Sequence, residues 1–229
     1  MLTGALHLVI PVALVSGLLR GIVFIGAASL HASHWAVDAA TLVLVVLVGI
    51  LTQSVELVLI CSVGRGAPLS ITSAIRIVRA LAGRIIGTWV RMAYAVVWGL
   101  RLLAVPGLID WARYGVAVPV ALLEPSVGKP LARARQLSEG RLWSVFALQS
   151  VGFLVWLVAM VIGTIPADLL RDGMWHPGLV AHALNLLLNA AMELGSVASV
   201  AISVAIYGGL RAARFNEQPK AQQPGGRAA

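Results

Sequence analysis

The apolar run from Trp35 to Val63 constrains this chain more than any other feature, because Asp38 and Glu56 are its only charged residues. A bilayer hydrocarbon core about 30 Å thick is crossed by about 20 helical residues. Strands buried in soluble proteins are far shorter, so a run of this length reads as a membrane-spanning helix. It is not alone. Comparable runs cover Ala5–Leu30 (interrupted by Pro11 and Arg20), Arg84–Val105, Leu108–Leu123, Leu142–Ile165 and Val180–Leu210. The composition agrees: 59% of residues are hydrophobic and 11% charged, against roughly 45–50% and about 25% in soluble domains. The reading is an all-α, polytopic transmembrane bundle of six spans, with residues 1–215 forming one domain.

The fourth span is short, and Pro106-Gly107 is expected to make the tight turn before it, since Pro cannot continue a helix and Gly permits a reversal. The first run has no basic region and no small-residue cleavage site, so it is expected to be retained.

Orientation follows from the basic residues. Arg65, Arg76, Arg79 and Arg84 lie between spans two and three, and Lys129, Arg133, Arg135 and Arg141 between four and five. Arg211, Arg214, Lys220 and Arg227 follow span six. A six-span chain puts all twelve on one side, leaving Arg101, Arg113 and Arg171 for the other. The positive-inside bias makes both termini cytoplasmic, in a bacterial cytoplasmic (inner) membrane. The net charge of +8 is therefore a topology signal facing anionic lipid. Nucleic acid is excluded as a partner, because no basic motif is interleaved with stacking aromatics.

Two loops carry amphipathic helices. From Pro130, a favoured first helical position, Leu131, Ala134, Leu137 and Ser138 share a face, and Gly140 is expected to end the helix before Trp143 anchors the next span. In Leu69–Ala82 the stripe is Ile71, Ala74, Ile75, Val78 and Leu81. Both are expected to lie in the headgroup layer with Arg76, Arg79, Lys129, Arg133, Arg135 and Arg141 toward lipid phosphate. "SVGRGAPL" and "SVGKPL" each precede such a helix and lead to a Gly-Arg pair, as a repeated unit of span, surface helix and span would. Asn216–Ala229 has no apolar periodicity and reads as a disordered tail.

The stretch "RYGVAVPVALLEPSVGKPLARARQLSEGRLWSV" resembles the membrane domain found at the N-terminus of some bacterial glycerophosphodiester phosphodiesterases and in related stand-alone multi-span proteins. The residues that carry the resemblance are Arg113, Tyr114, Pro119, Glu124, Leu131, Arg133, Leu137, Ser138, Gly140 and Trp143; Ala134 departs from it, standing where the family tends to have Ser. The resemblance covers about residues 68–151 and implies a six-helix bundle. It imports no activity, because the phosphodiesterase chemistry of those enzymes belongs to a separate soluble barrel that this chain has no residues to form.

Ionisable and polar groups inside spans are costly and mark candidate sites. Asn185, Asn189, Glu193, Ser196, Ser199 and Ser203 recur at steps of three and four on one face of span six. Such a stripe either glues helices together or lines a cavity. Gln53 and Glu56 lie in span two and Arg91 in span three; Glu56 and Arg91 sit at matched depth and an ion pair between them is expected, with Arg20 as a competitor for Glu56 and Glu193 able to pair with either arginine. His31, His34 and Asp38 share a face as a zinc set does, yet no metal motif accompanies them and solvation accounts for them better. Cys61 lacks a basic activator. With no catalytic triad, nucleophile elbow or Walker loop legible, no catalytic residue, metal or cofactor is expected. The expected function is non-enzymatic: a lipid-interacting or accessory module whose partners are membrane lipids, another membrane protein or a second copy of itself. The rival is a small transporter or channel with its polar path along span six.

Overall fold

A computed structural model describes the backbone of residues 2–29, 35–102, 104–171 and 179–217, and the surroundings of side chains 7–19, 22, 39–101, 105–159, 161 and 193–216. It contains eight helices and no strand among the described residues: α1 (Leu2–Ser29), α2 (Trp35–Gly64), α3 (Ile71–Leu102), α4 (Ala104–Tyr114), α5 (Ala117–Leu123), α6 (Pro130–Ser138), α7 (Leu142–Arg171) and α8 (Leu179–Glu217). Four are long and apolar enough to cross a membrane, over Ala39–Gly64, Ile71–Arg101, Leu142–Ala159 and Glu193–Asn216. In α1 the described apolar stretch is shorter, His7–Leu19. Leu42 is 61% exposed and Leu154 58%. Such outward apolar surface is what lipid, rather than water, accommodates.

The helices begin and end where local chemistry directs. The α2 terminus closes in a Schellman motif: Gly66, at φ +72°, donates its N–H to the Val63 carbonyl, and Ala67 donates to Ser62. Gly is needed there because a left-handed backbone conformation disfavours any Cβ. Pro11 does not interrupt α1, which runs through it.

Three expectations are corrected. The stripe over Leu69–Ala82 is not a separate surface helix; it is the first half of α3, which passes through Gly83 without a break. Nothing crowds Gly83, and the surrounding Ala-Leu-Ala favours helix strongly enough to absorb one glycine, about 1 kcal/mol against Ala. The reversal before span four does not use Pro106-Gly107. Pro106 lies inside the first turn of α4, where its missing N–H is harmless. Gly107 serves close packing instead: a Cβ on it would come within 2.5 Å of the Leu100 backbone, and one on Gly99 within 2.7 Å of the Gly107 Cα. Span four itself is two helices, α4 and α5, broken at Gly115-Val116.

Among the described residues two apolar cores hold the bundle. Val9, Ala13, Val55, Leu59, Val78 and Ile85 join α1, α2 and α3. Val120, Leu137, Val145, Tyr207 and Leu210 join α5, α6, α7 and α8. α8 runs through Glu217, so the expected tail begins as helix at Asn216, and residues 218–229 lie outside the described ones.

Candidate functional site

The most organised polar structure lies where α5, α6 and α8 meet the middle of α3, at the end of the bundle that carries the basic loops. A helix leaves its last carbonyls without intrahelical partners, and away from water these must be satisfied by side chains. At this end side chains from other helices satisfy three such termini.

The α5 terminus and the turn after it are held by Arg84 of α3. Its Nη1 donates to the Pro125 carbonyl at 2.6 Å, and its Nη2 donates to the carbonyls of Glu124, at 3.0 Å, and Val127. A planar guanidinium suits such a cluster of acceptors better than a lysine ammonium. At the α4 end, the freed Arg113 carbonyl accepts from Ser138 Oγ at 3.2 Å, a hydroxyl shared with the Ala134 carbonyl at 3.0 Å. The α6 end is held by Arg214 Nη2, which reaches the Gln136 and Glu139 carbonyls at 2.8 and 2.9 Å.

Glu124 stands at the centre. Tyr207 donates its hydroxyl to Oε1 at 2.8 Å, and Arg133 Nε donates to Oε2 at 3.2 Å. Glu124 is 12% exposed and Arg133 37%, so the pair is partly shielded from solvent screening. Gly140 closes α6 through a type II turn. Glu139 lies at φ −63°, ψ 132°, Gly140 at φ +78°, and the Arg141 N–H bonds back to the Ser138 carbonyl at 3.1 Å. That turn type requires a positive φ at its third residue, which Gly supplies.

Several of the residues singled out by the resemblance meet here. Glu124 and the Arg113 carbonyl accept hydrogen bonds, Leu137 and Pro119 are fully buried, and Gly140 makes the turn. Two expectations change in consequence. The apolar face of α6 is turned onto protein, not lipid: Ala134 and Leu137 are 0% exposed, packed among α5, α7 and α8. Arg133 is engaged by Glu124 rather than left for phosphate. Arg76, Arg79, Lys129, Arg135 and Arg141 remain exposed, as does Trp143.

A second polar feature lies inside the bundle. A partly open cavity of about 150 Å³ is bounded by α2, α3, α5 and α8 and by the Gly115 break, with Gln53, Ser199 and Ser203 among its walls. Beside it the Gln149 amide packs so closely on Gly115 that a Cβ there would fall 1.3 Å from Nε2. The Gln149 residue is 8% exposed, and its buried Oε1 has no hydrogen-bond partner among the described residues.

The span-six stripe divides. Glu193 and Ser196 are buried and hydrogen-bonded, Ser196 Oγ donating to Glu193 Oε2 at 3.2 Å. Ser199 and Ser203 face the cavity. The side chains of Asn185 and Asn189 lie outside the described ones, as do Arg20 and the set His31, His34 and Asp38. The expected Glu56–Arg91 ion pair is not formed. Glu56 is 0% exposed, whereas Arg91 is exposed. At 100° per residue, α3 cannot turn Trp89 and Met92 to the cavity and also bring Arg91 inward. Among the described residues no group of three His, Cys, Asp or Glu could hold a metal ion.

Sequence reasoning missed Tyr207, Gln149 and the bonding roles of Arg84 and Arg214. For Tyr207 a signal existed: it extends the spacing of Ser199 and Ser203 by one more step of four. Comparison of the chain with protein-family models, with curated proteins and with solved structures finds no match in any of the three.

Proposed function

We propose that this chain is a non-enzymatic, lipid-interacting or accessory module of a bacterial cytoplasmic membrane, threaded six times with both termini inside. In this reading α4 and α5 together make the fourth crossing. The observation that carries it is a division of labour among cations at one end of the bundle. Arg84, Arg133 and Arg214 are bonded to carbonyls and a carboxylate of the protein. Arg76, Arg79, Lys129 and Arg135 are left exposed, with Ile75, Ile77 and Trp143 exposed alongside. Cations interleaved with exposed apolar and aromatic side chains match the headgroup boundary, where anionic phosphate and acyl chain meet. The resemblance to stand-alone multi-span membrane domains supports the six-fold threading alone.

The test is thermal stability in phosphatidylcholine nanodiscs with and without phosphatidylglycerol. Anionic lipid is expected to raise the Tm of the wild type, and the Arg76→Gln/Arg79→Gln/Arg135→Gln variant to lose most of that gain at an unchanged Tm in neutral lipid. An equal gain in both proteins would remove the lipid role of these arginines. Reporter fusions after Gly128 and after Glu217 test the threading; both are expected to report the cytoplasm.

A small transporter or channel is the second reading, favoured by the cavity beside Gln53 and Ser203. Against it stands the burial of Glu193 and Ser196 in helix contacts. Single cysteines at Glu193, Ser196, Ser199 and Ser203 in a Cys61→Ala background separate the two. Labelling by a water-soluble thiol reagent at all four positions supports a transport path, and labelling confined to Ser199 and Ser203 supports the accessory module.

A further inference from the structure

The cavity at the Gly115 break has a chemistry of its own. Among the described residues its walls are apolar where Ile50, Leu57, Trp89, Met92 and Val118 stand and polar at Gln53, Ser199 and Ser203, none of them ionisable. A charged ligand in such a place would lack a counter-charge and lose its hydration. An uncharged group able to donate and accept hydrogen bonds would not. Gln53 supplies an amide with both capacities. Ser203 Oγ donates to the Ser199 carbonyl at 3.1 Å, and its lone pairs can still accept.

Size and depth narrow the ligand. About 150 Å³ accommodates a group no larger than a benzene ring, not a whole lipid. Ser203 lies four residues inward of Tyr207, and Val118 six inward of Glu124, which is about 6–9 Å at 1.5 Å per residue. A lipid with its polar end level with the Glu124 cluster would place its linkage region there.

We propose that this cavity binds an uncharged hydroxyl- or ester-bearing group, supplied either by the linkage region of a neutral glycerolipid or by a free polyol. Gln53 and Ser203 bond the oxygen atoms, and Trp89, Met92 and Leu57 cover the carbon skeleton. The lipid source rests on the membrane-module reading; the cavity chemistry does not.

The test is native mass spectrometry of the full chain released from neutral detergent, with dioctanoylglycerol or with glycerol alone. The expected result is a one-to-one dioctanoylglycerol adduct that weakens at least tenfold in Gln53→Leu and severalfold in Ser203→Ala. The Arg76→Gln/Arg79→Gln variant retains it. A glycerol adduct of equal affinity and the same dependence on Gln53 supports the site and assigns it to a free polyol. No adduct with either probe overturns the proposal, as does an adduct that survives both cavity substitutions unchanged. Helicity by circular dichroism checks folding, and if Gln53→Leu unfolds, the milder Ser203→Ala decides. Dioctanoylglycerol binding by a protein indifferent to anionic lipid keeps the cavity and removes the exposed arginines from the account.

Discussion

Two regions of this protein start from nearly the same local sequence and end differently. "SVGRGAPL" leads through an amphipathic stretch to Gly83-Arg84, and "SVGKPL" leads through another to Gly140-Arg141. In the first, helix α3 runs unbroken through its glycine, 32 residues in all. In the second, α6 stops after 9 residues and a type II turn starts α7. The residues before each glycine account for the difference. Ala-Leu-Ala continues a helix, whereas Ser138 spends its hydroxyl on the Arg113 carbonyl and Glu139 turns to an extended conformation. Ser competes with its own backbone for hydrogen bonds, and Ala has nothing to compete with. Because the first unit stays helical, Arg84 is carried across the bundle to hold the α5 terminus of the second. A proposed duplication has thus become a division of roles, one unit supplying the clamp and the other the part it holds.

Arg84→Leu gives the sharpest break of that relation. It strips three carbonyls of a charged donor, and a charged hydrogen bond contributes about 1.5–3 kcal/mol. The expected loss is about 3 kcal/mol, read as a large fall in Tm in detergent. A loss below about 1 kcal/mol would mean that the two units stand independently. Glu124→Ala comes next at about 2 kcal/mol, because Arg133 and Tyr207 lose their common acceptor; Arg133 is exposed enough that water offsets part of the cost. In Tyr207→Phe only the hydroxyl is lost, so about 1 kcal/mol is expected. If Tyr207→Phe cost as much as Glu124→Ala, the hydroxyl rather than the ion pair would be holding the cluster.

The two glycines yield the smallest effects and the clearest contrast, because their signs oppose. Gly140→Ala forces a Cβ into left-handed space and is expected to destabilise by about 1 kcal/mol. Gly83→Ala meets open space inside a helix and is expected to stabilise by about 0.5–1 kcal/mol. Thermal melts of both variants check this. Equal signs would show that Gly83 marks a bend or a contact beyond the helix.

Some of this was legible in advance for physical reasons. Pro130 and Gly140 bound α6 as expected, because a first-turn proline and a left-handed glycine act within a few residues of themselves. The apolar stretches of α2, α7 and α8 were legible because membrane thickness imposes their length. Glu124 was singled out by resemblance, but its partner Tyr207 lies 83 residues away. The Glu56–Arg91 pair failed because depth along two helices says nothing of the rotation of each about its axis. Of the described residues of the span-six stripe, Glu193 and Ser196 proved to be packing and Ser199 and Ser203 cavity wall, although the same spacing runs through Ser196, Ser199 and Ser203.

The sequence by itself determined that the chain is helical and built for a membrane, where its basic residues gather, and which glycine ends α6. Those properties follow from solvent and from backbone geometry, each acting over a few residues or one span. Tertiary structure alone decided which arginines bond to protein, that the apolar side of α6 meets protein rather than lipid, and that a partly polar cavity opens at Gly115. Helix ends and buried polar groups must find partners wherever the fold brings them, and no local rule names a partner on another helix.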